Sequence, residues 1–174
     1  MIWQPAAHAA AIVMFTLLPS ALAAQPAPPK RLEVFVGSWT TVGTAQASPL
    51  GPAGRLSTTE TFEWLPGGFF VVHRWEGQHG SAEVSGLEIL GFDARNKVFT
   101  SRFFDQSGLT GTLRANPQGN AWTWAGDADI GGKLVKQRCT TILVNPDTFT
   151  TRCEYSADGF KWLASLESRS TRVK

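Results

Sequence analysis

The sequence predicts an all-β protein, an antiparallel up-and-down barrel of about ten strands. After residue 30, short runs rich in Val, Thr, Phe and Trp follow one another and are separated by turn-forming residues. No later stretch keeps an apolar period of 3.6 residues long enough for a substantial helix. The connections are mostly short, which favours antiparallel neighbours. Two packed sheets with Greek-key links are the alternative, but they need longer cross-connections.

The predicted elements follow from this alternation. Residues 30–36 predict either one short helical turn that plugs an end of the fold or the start of the first strand. The predicted strands are 38–46, 55–65, 69–77, 83–92, 98–105, 109–115, 121–127, 133–144, 148–156 and 160–170. Most of them end at turn formers, namely Pro66-Gly67-Gly68, Asp93 to Lys97, Gln106-Ser107-Gly108, Asn116 to Asn120, Asn145-Pro146-Asp147 and Asp158-Gly159.

The N-terminal residues 1–24 predict an export signal. The apolar run AAAIVMFTLL is followed by Pro19 and the small residues SALAA, a pattern typical of a cleavable leader. The run is shorter than the roughly 20 residues that span a bilayer, so we expect no stable membrane insertion after cleavage. An uncleaved anchor and a wrongly assigned start are the alternatives. The sequence therefore predicts a periplasmic or secreted protein.

The rest of the chain predicts one domain, 31–174, preceded by an extended, proline-rich lead-in at 25–30. Its length is enough to bury a core without covalent staples. The net charge is +2 and the charges are mixed along the chain. Because no cluster of Lys and Arg is interleaved with aromatic residues, we expect no nucleic-acid partner. The basic tail SRSTRVK is interpreted as a solubilising end.

The two cysteines, Cys139 and Cys153, flank a predicted hairpin that turns at residues 145–147. If those three residues form the loop, Val144 pairs with Thr148 and the cysteines lie directly opposite each other. Opposite strand residues are close enough for a disulfide, and an exported location permits oxidation. A two- or four-residue loop would shift the register by one residue and separate them. We predict a disulfide, with two buried thiols as the alternative.

Four short motifs in order carry a family resemblance. They are Val36-Gly37-Ser38-Trp39, Glu60 to Trp64 before Pro66-Gly67-Gly68, Leu90-Gly91-Phe92-Asp93, and Glu154-Tyr155-Ser156 through Asp158-Gly159 to Trp162. Together they resemble the DUF1579 family of bacterial proteins, which is related to calycin-type barrels such as lipocalins. The resemblance implies a lipocalin-like barrel with Trp39 near its closed end, and a shared fold implies no activity. The chain lacks a C-terminal His that would match the iron ligand of nitrobindin-like barrels, so we expect no haem or other cofactor.

A few side chains are candidates for ligand contact. Glu60 and Arg102 lie mid-strand on faces that also hold apolar residues, and His73 lies on an apolar strand face. An inward charge must be paired or hydrogen-bonded, and an inward Arg near an inward Glu would hold a ligand carboxylate or close a salt bridge. We predict that Glu60, His73 and Arg102 contact the ligand and that Trp122 and Trp124 stack on it. The alternatives are charges that face water and tryptophans that only fill the core.

No catalytic motif is present, and two histidines outside the leader, His73 and His79, are too few to predict a metal site. The sequence favours an exported protein that binds a small apolar or amphipathic molecule in the barrel cavity. One alternative is an enzyme of isomerase or cyclase type that acts on an apolar substrate there, with an inward His73. The other is a structural or interaction module with a packed interior.

Overall fold

The computed structural model describes residues 29–174, so the predicted export signal and most of the lead-in lie outside the described residues. A 3-10 turn, η1, spans Lys30–Val34. Ten strands follow: β1 Gly37–Ala45, β2 Gly54–Trp64, β3 Val71–His79, β4 Ala82–Asp93, β5 Val98–Asp105, β6 Thr110–Ala115, β7 Ala121–Ile130, β8 Lys133–Asn145, β9 Thr148–Ser156 and β10 Leu163–Arg172. Within this part of the chain, no helix has the length and apolar character needed to cross a membrane.

The strands form one closed barrel in which every strand pairs antiparallel with its neighbours along the chain. The last strand closes the barrel on the first, with Trp39 opposite Arg172. The predicted antiparallel meander of about ten strands is therefore confirmed, and so is the short helical turn before it. The largest differences are at β7, which ends three residues later than predicted, and at β10, which begins three residues later. The Asp158 carboxylate accepts the N–H groups of Phe160 and Lys161 and holds them in the preceding turn.

One end of the barrel is closed by η1 and a cluster of buried aromatic residues. Phe35, just after η1, packs edge-on against Trp122 at 5.1 Å between ring centroids. Trp39 is 1 % exposed, donates from Nε1 to the Phe35 carbonyl at 2.7 Å, and packs against Phe149 at 4.7 Å. Arg31 ties the turn to the β6–β7 loop by donating to the carbonyls of Pro117 and Gly119. Trp39 therefore lies at the closed end, as the resemblance implied.

The C-terminal tail is part of this closed end. The Arg172 guanidinium lies over the Trp39 ring, 4.1 Å from its centroid, and donates to the carbonyls of Val34, Val36 and Pro146. Gly37 has a φ of 130°, and a Cβ there would lie 2.4 Å from an Arg172 nitrogen. The Gly-x-Trp motif thus reflects a glycine that makes room for an arginine on the tryptophan face. The interpretation of the tail as merely solubilising is wrong at Arg172.

The cysteine hairpin reaches the predicted pairing by a different turn. Asn145 pairs with Thr148, so the loop has two residues, and the register shifts between Leu143 and Asn145. The extra residue, Val144, is a bulge that restores the alignment lost by shortening the loop. Cys139 and Cys153 therefore lie opposite each other and form the predicted disulfide. The predicted pairing of Val144 with Thr148 is wrong.

Candidate functional site in the barrel cavity

The other end of the barrel opens into a cavity of about 600 Å³. Its mouth is formed by the loops between β1 and β2, β3 and β4, and β5 and β6, and its floor includes Phe35 and Phe149. The volume is within the range of about 300–1,000 Å³ that is typical of small-molecule sites. The interior is therefore not packed solid, which argues against the alternative of a module with a filled barrel.

Three ionisable side chains meet inside this cavity, one from each of the neighbouring strands β2, β3 and β4. The register places Phe62 and Glu88 on either side of His73. His73 Nδ1 is 2.9 Å from Glu88 Oε2, a directed hydrogen bond. His73 Nε2 is 3.3 Å from Glu60 Oε2, an ion-pair distance, but the ring N–H is not aimed well enough at that oxygen for a hydrogen bond. We call Glu60, His73 and Glu88 the acidic cluster.

Hydroxyl groups fix the two carboxylates of the acidic cluster. Thr58 donates to Glu60 Oε1 at 2.9 Å, and Ser101 donates to Glu88 Oε1. Both residues are at least nine-tenths buried and lie on inward faces of their strands. Because a buried carboxylate needs hydrogen bonds to remain ionised, these hydroxyls help to hold the charges in place.

Within the acidic cluster, the pKa of His73 is raised and the pKa of Glu60 is lowered. Burial alone would lower the pKa of His73, but the carboxylates of Glu60 and Glu88 on either side of the ring outweigh it and raise that pKa to about 9. Burial alone would raise the pKa of Glu60, but His73, Thr41 and Thr58 outweigh it and hold that pKa below its ordinary value. His73 is therefore a buried imidazolium at neutral pH, and its remaining 13 % exposure faces the cavity.

Aromatic rings surround the acidic cluster. Phe62 stacks on the His73 ring with centroids 3.8 Å apart and planes 6° from parallel. Trp75, two residues along β3, lies across Gly86 of β4, where a Cβ would lie 2.0 Å from the indole. Trp75 and Trp124 both line the cavity. Aromatic and aliphatic side chains therefore supply much of the wall, with polar side chains among them on several strands.

Three of the predicted ligand-contacting residues, Glu60, His73 and Trp124, line this cavity. Trp122 does not. It is 1 % exposed, because Phe35, Phe99 and the Arg31 guanidinium cover its ring in the closed-end cluster. The roles of Glu60, His73 and Trp124 as ligand contacts stay predictions.

Arg102 does not line the cavity either, so its predicted inward orientation is wrong. Its side chain is exposed on the outer face of β5 and lies 5.6 Å from the Phe104 ring centroid. The inward face of β5 carries Phe99, Ser101 and Phe103 instead. The exposed Phe104 shares this outer face with Arg102, so the sequence pattern of the face resembled that of an apolar, inward face.

Sequence reasoning missed Glu88, the third member of the acidic cluster. The signal was present, because Glu88 shares its strand face with Val84, Gly86 and Leu90 in the segment EVSGLEILGF. This is the same pattern of one charge on an apolar face that singled out Glu60. What no strand pattern could show is that the two glutamates clamp one histidine from opposite sides.

Metal binding is not indicated by this arrangement. Within residues 29–174, no three His, Cys, Asp or Glu side chains are grouped so as to hold a metal ion. In the acidic cluster, the imidazole lies between the two carboxylates and each ring nitrogen faces one of them. A metal ion would need those lone pairs directed towards a shared point.

The fold and the cavity define a class, the closed antiparallel barrels of calycin type that enclose an internal cavity. Within that class, the chain belongs to the family described as "Protein of unknown function (DUF1579)", whose model matches residues 25–172. No curated protein sequence matches the chain.

Two solved structures show the same fold at low sequence identity. The crystal structure of Rv2717c from M. tuberculosis is 17% identical, with a TM-score of 0.65, and the match covers 86% of this chain and all (100%) of that one. The S-type phycobiliprotein lyase CPES from Guillardia theta is 12% identical, with a TM-score of 0.58, over 83% of this chain and 92% of that one. At these identities the likeness concerns the fold alone.

Proposed function

We propose that this protein binds a small apolar or amphipathic molecule inside the barrel, with the molecule's polar group at the acidic cluster. The observation that carries the proposal is a buried cluster of charged side chains at the wall of a cavity that aromatic and aliphatic side chains also line. Charged groups are costly to bury. Replacing such groups by apolar ones often leaves stability unchanged or raises it, so their presence favours a role in recognition.

The walls support the same proposal. Trp75 and Trp124 offer apolar, polarisable surfaces to a ligand, and the mouth of the cavity gives a route to it from solvent. The closed end below the cavity is dry and aromatic, which fixes how deep a ligand reaches. Likeness to a phycobiliprotein lyase supports the fold only and provides no substrate for this chain.

Native mass spectrometry tests the proposal, with protein purified from its source under gentle conditions. We expect a small molecule to stay bound and to be lost on unfolding. Displacement of the bound molecule is then followed by the fluorescence of Trp75 and Trp124. The variants Trp75→Phe and Trp124→Phe identify which tryptophan gives the signal. Trp162→Phe is the matched control, because Trp162 lies on the outer wall. Repeated absence of any bound molecule, together with no binder among apolar probes, would reject the proposal.

An enzyme acting on an apolar substrate in the same cavity is the second candidate. The observation that favours it is His73, which lines the cavity, has a pKa raised to about 9 by two carboxylates, and carries an Nε2 that makes no directed hydrogen bond. A protonated imidazole of that kind is suited to donate a proton to a bound substrate, as isomerases and cyclases require. Turnover lost in His73→Gln, with binding retained, would favour the enzyme, whereas binding without turnover favours a carrier.

Export to the periplasm or the medium is part of the proposal. The Cys139–Cys153 disulfide supports it, because such bonds persist in oxidising compartments. Fractionation of the source organism, followed by mass measurement of the mature chain, tests it. A full-length chain in the cytoplasm with both thiols free would contradict it.

A further inference from the structure

The charged groups of the cavity are almost all of one sign. Its lining includes four carboxylates, those of Glu60, Glu83, Glu88 and Asp105. Among the described residues that line it, none is a lysine or an arginine, and His73 is the imidazolium. The Asp105 carboxylate is occupied by its own turn, where it accepts from Ser107 and Leu109. These four carboxylates and the imidazolium give a net charge of −3, of which −1 lies at the acidic cluster and −2 lies at Glu83 and Asp105, nearer the mouth.

The acidic cluster itself is not neutral. Two carboxylates and one imidazolium leave a net charge of −1 inside the barrel. Each carboxylate can accept about four hydrogen bonds, whereas two donor groups face Glu88 and three face Glu60. Accepting capacity for a ligand therefore remains on both glutamates, whereas both ring nitrogens of His73 already face carboxylates.

A second feature independently favours a donor. The Gln137 side chain lines the cavity, and its Oε1 is buried without a hydrogen-bond partner, while its Nε2 faces the Cys139 sulfur at 3.6 Å. A buried acceptor without a partner is costly unless a ligand or water supplies the donor. The aromatic faces of Trp75 and Trp124 also attract cations through their ring quadrupoles.

We propose that the ligand is an organic cation, an apolar molecule that carries an amine or ammonium group, and that this group lies against Glu60 and Glu88. This inference rests on the proposed binding function and narrows it to one chemical class. A ligand of this class is not an anion of fatty-acid type. An inward arginine would be needed to hold a ligand carboxylate, but Arg102 is on the outer face.

The test compares three probes with the same apolar chain, decylammonium, decanol and decanoate, each below its micellar concentration. Titration calorimetry on the wild-type protein at pH 7 gives their affinities. We expect the ammonium to bind more tightly than the alcohol and the carboxylate to bind most weakly. One unit charge at about 4 Å makes at least a tenfold ratio between ammonium and carboxylate reasonable.

Variants then locate the charge preference. Glu60→Gln and Glu88→Gln each bring the acidic cluster to zero net charge, so each should lower the ratio of ammonium to carboxylate affinity about tenfold. Glu63→Gln is the matched control, because Glu63 lies on the outer face of the same strand beside Arg74. It removes the same charge and should leave the ratio unchanged. Circular dichroism and unfolding of each variant show that the comparison concerns folded protein.

The possible outcomes are distinct. Equal affinities, or tighter binding of decanoate, would overturn the cationic ligand and leave the binding function standing. An equal fall of the ratio in Glu63→Gln would overturn the assignment to the acidic cluster. No binding of any probe would count against the cavity as a binding site at all, and so against both proposals. The wild-type comparison needs no variant to fold.

Discussion

The two ends of the barrel differ in almost every physical respect. The closed end is dry and aromatic, and its polar groups satisfy one another, as when Trp39 donates to the Phe35 carbonyl and Arg172 covers the Trp39 ring. The open end holds a cavity of about 600 Å³ and, within it, a histidine clamped by two carboxylates. The first arrangement stabilises the fold. The second buries ionisable groups inside the protein, and departures of this kind from an apolar interior are expected at sites for binding or catalysis.

The largest expected effect is at the closed end. Trp39→Ala removes a buried indole and its hydrogen bond, so we expect the free energy of unfolding to fall by about 3–5 kcal/mol. Urea unfolding measures it. Trp162→Ala is the control, because Trp162 stacks on Arg138 on the outer wall and should cost far less. Equal costs for the two variants would contradict the distinction between a structural closed end and the rest of the wall.

At the open end, we expect the free energy of unfolding to fall as the pH rises into the alkaline range. The folded-state pKa of His73, about 9, lies above its ordinary value of 6.5. Its contribution is therefore fully present below pH 6.5 and is lost as the pH rises through about 9. By linkage, the part of the free energy of unfolding that is lost amounts to ~3 kcal/mol. Urea unfolding at several pH values measures the loss, and the loss should be absent in His73→Gln. A flat wild-type profile between pH 6.5 and 9 would contradict the clamped imidazolium.

The disulfide lies in the wall between these two regions. Cys139 and Cys153 are separated by 14 positions, so their bond closes a short loop. In the chain-entropy model, losing such a bond costs about 3 kcal/mol. The double variant Cys139→Ala, Cys153→Ala should lower the midpoint of urea unfolding accordingly. Its probe affinities should stay near wild type if the bond only braces the wall, and their loss would show that the bond shapes the cavity.

Particular residues show which features of the fold and of the site could be predicted from the sequence. The strand order and nearly all bounds followed from turn residues and short β-runs, because these signals are local. The disulfide was predicted, although the Val144 bulge that produces its register was not, since a bulge depends on loop length and pairing together. The orientation of Arg102 failed because both faces of β5 carry aromatic residues. Glu88 carried the same local signal as Glu60, but its pairing with His73 depends on barrel register.

A smaller effect is expected where the cavity wall is tightest. A Cβ at Gly86 would lie 2.0 Å from the Trp75 ring, so Gly86→Ala forces the indole to move. We expect a destabilisation of about 1–3 kcal/mol, typical of overpacking, and weaker binding of every probe regardless of its charge. Titration calorimetry with the same three probes measures the second effect. A change confined to the ammonium probe would mean that Trp75 acts through its ring electrons and not through its bulk.

The most direct test of a charged binding site in the cavity is the NMR titration of the His73 ring, assigned by comparison with His73→Gln. The structure predicts that its ring signals titrate with a pKa of about 9 and that they shift when decylammonium is added. A His73 that titrates near its ordinary value of 6.5 and does not respond to the ligand would contradict both the clamp and the binding site.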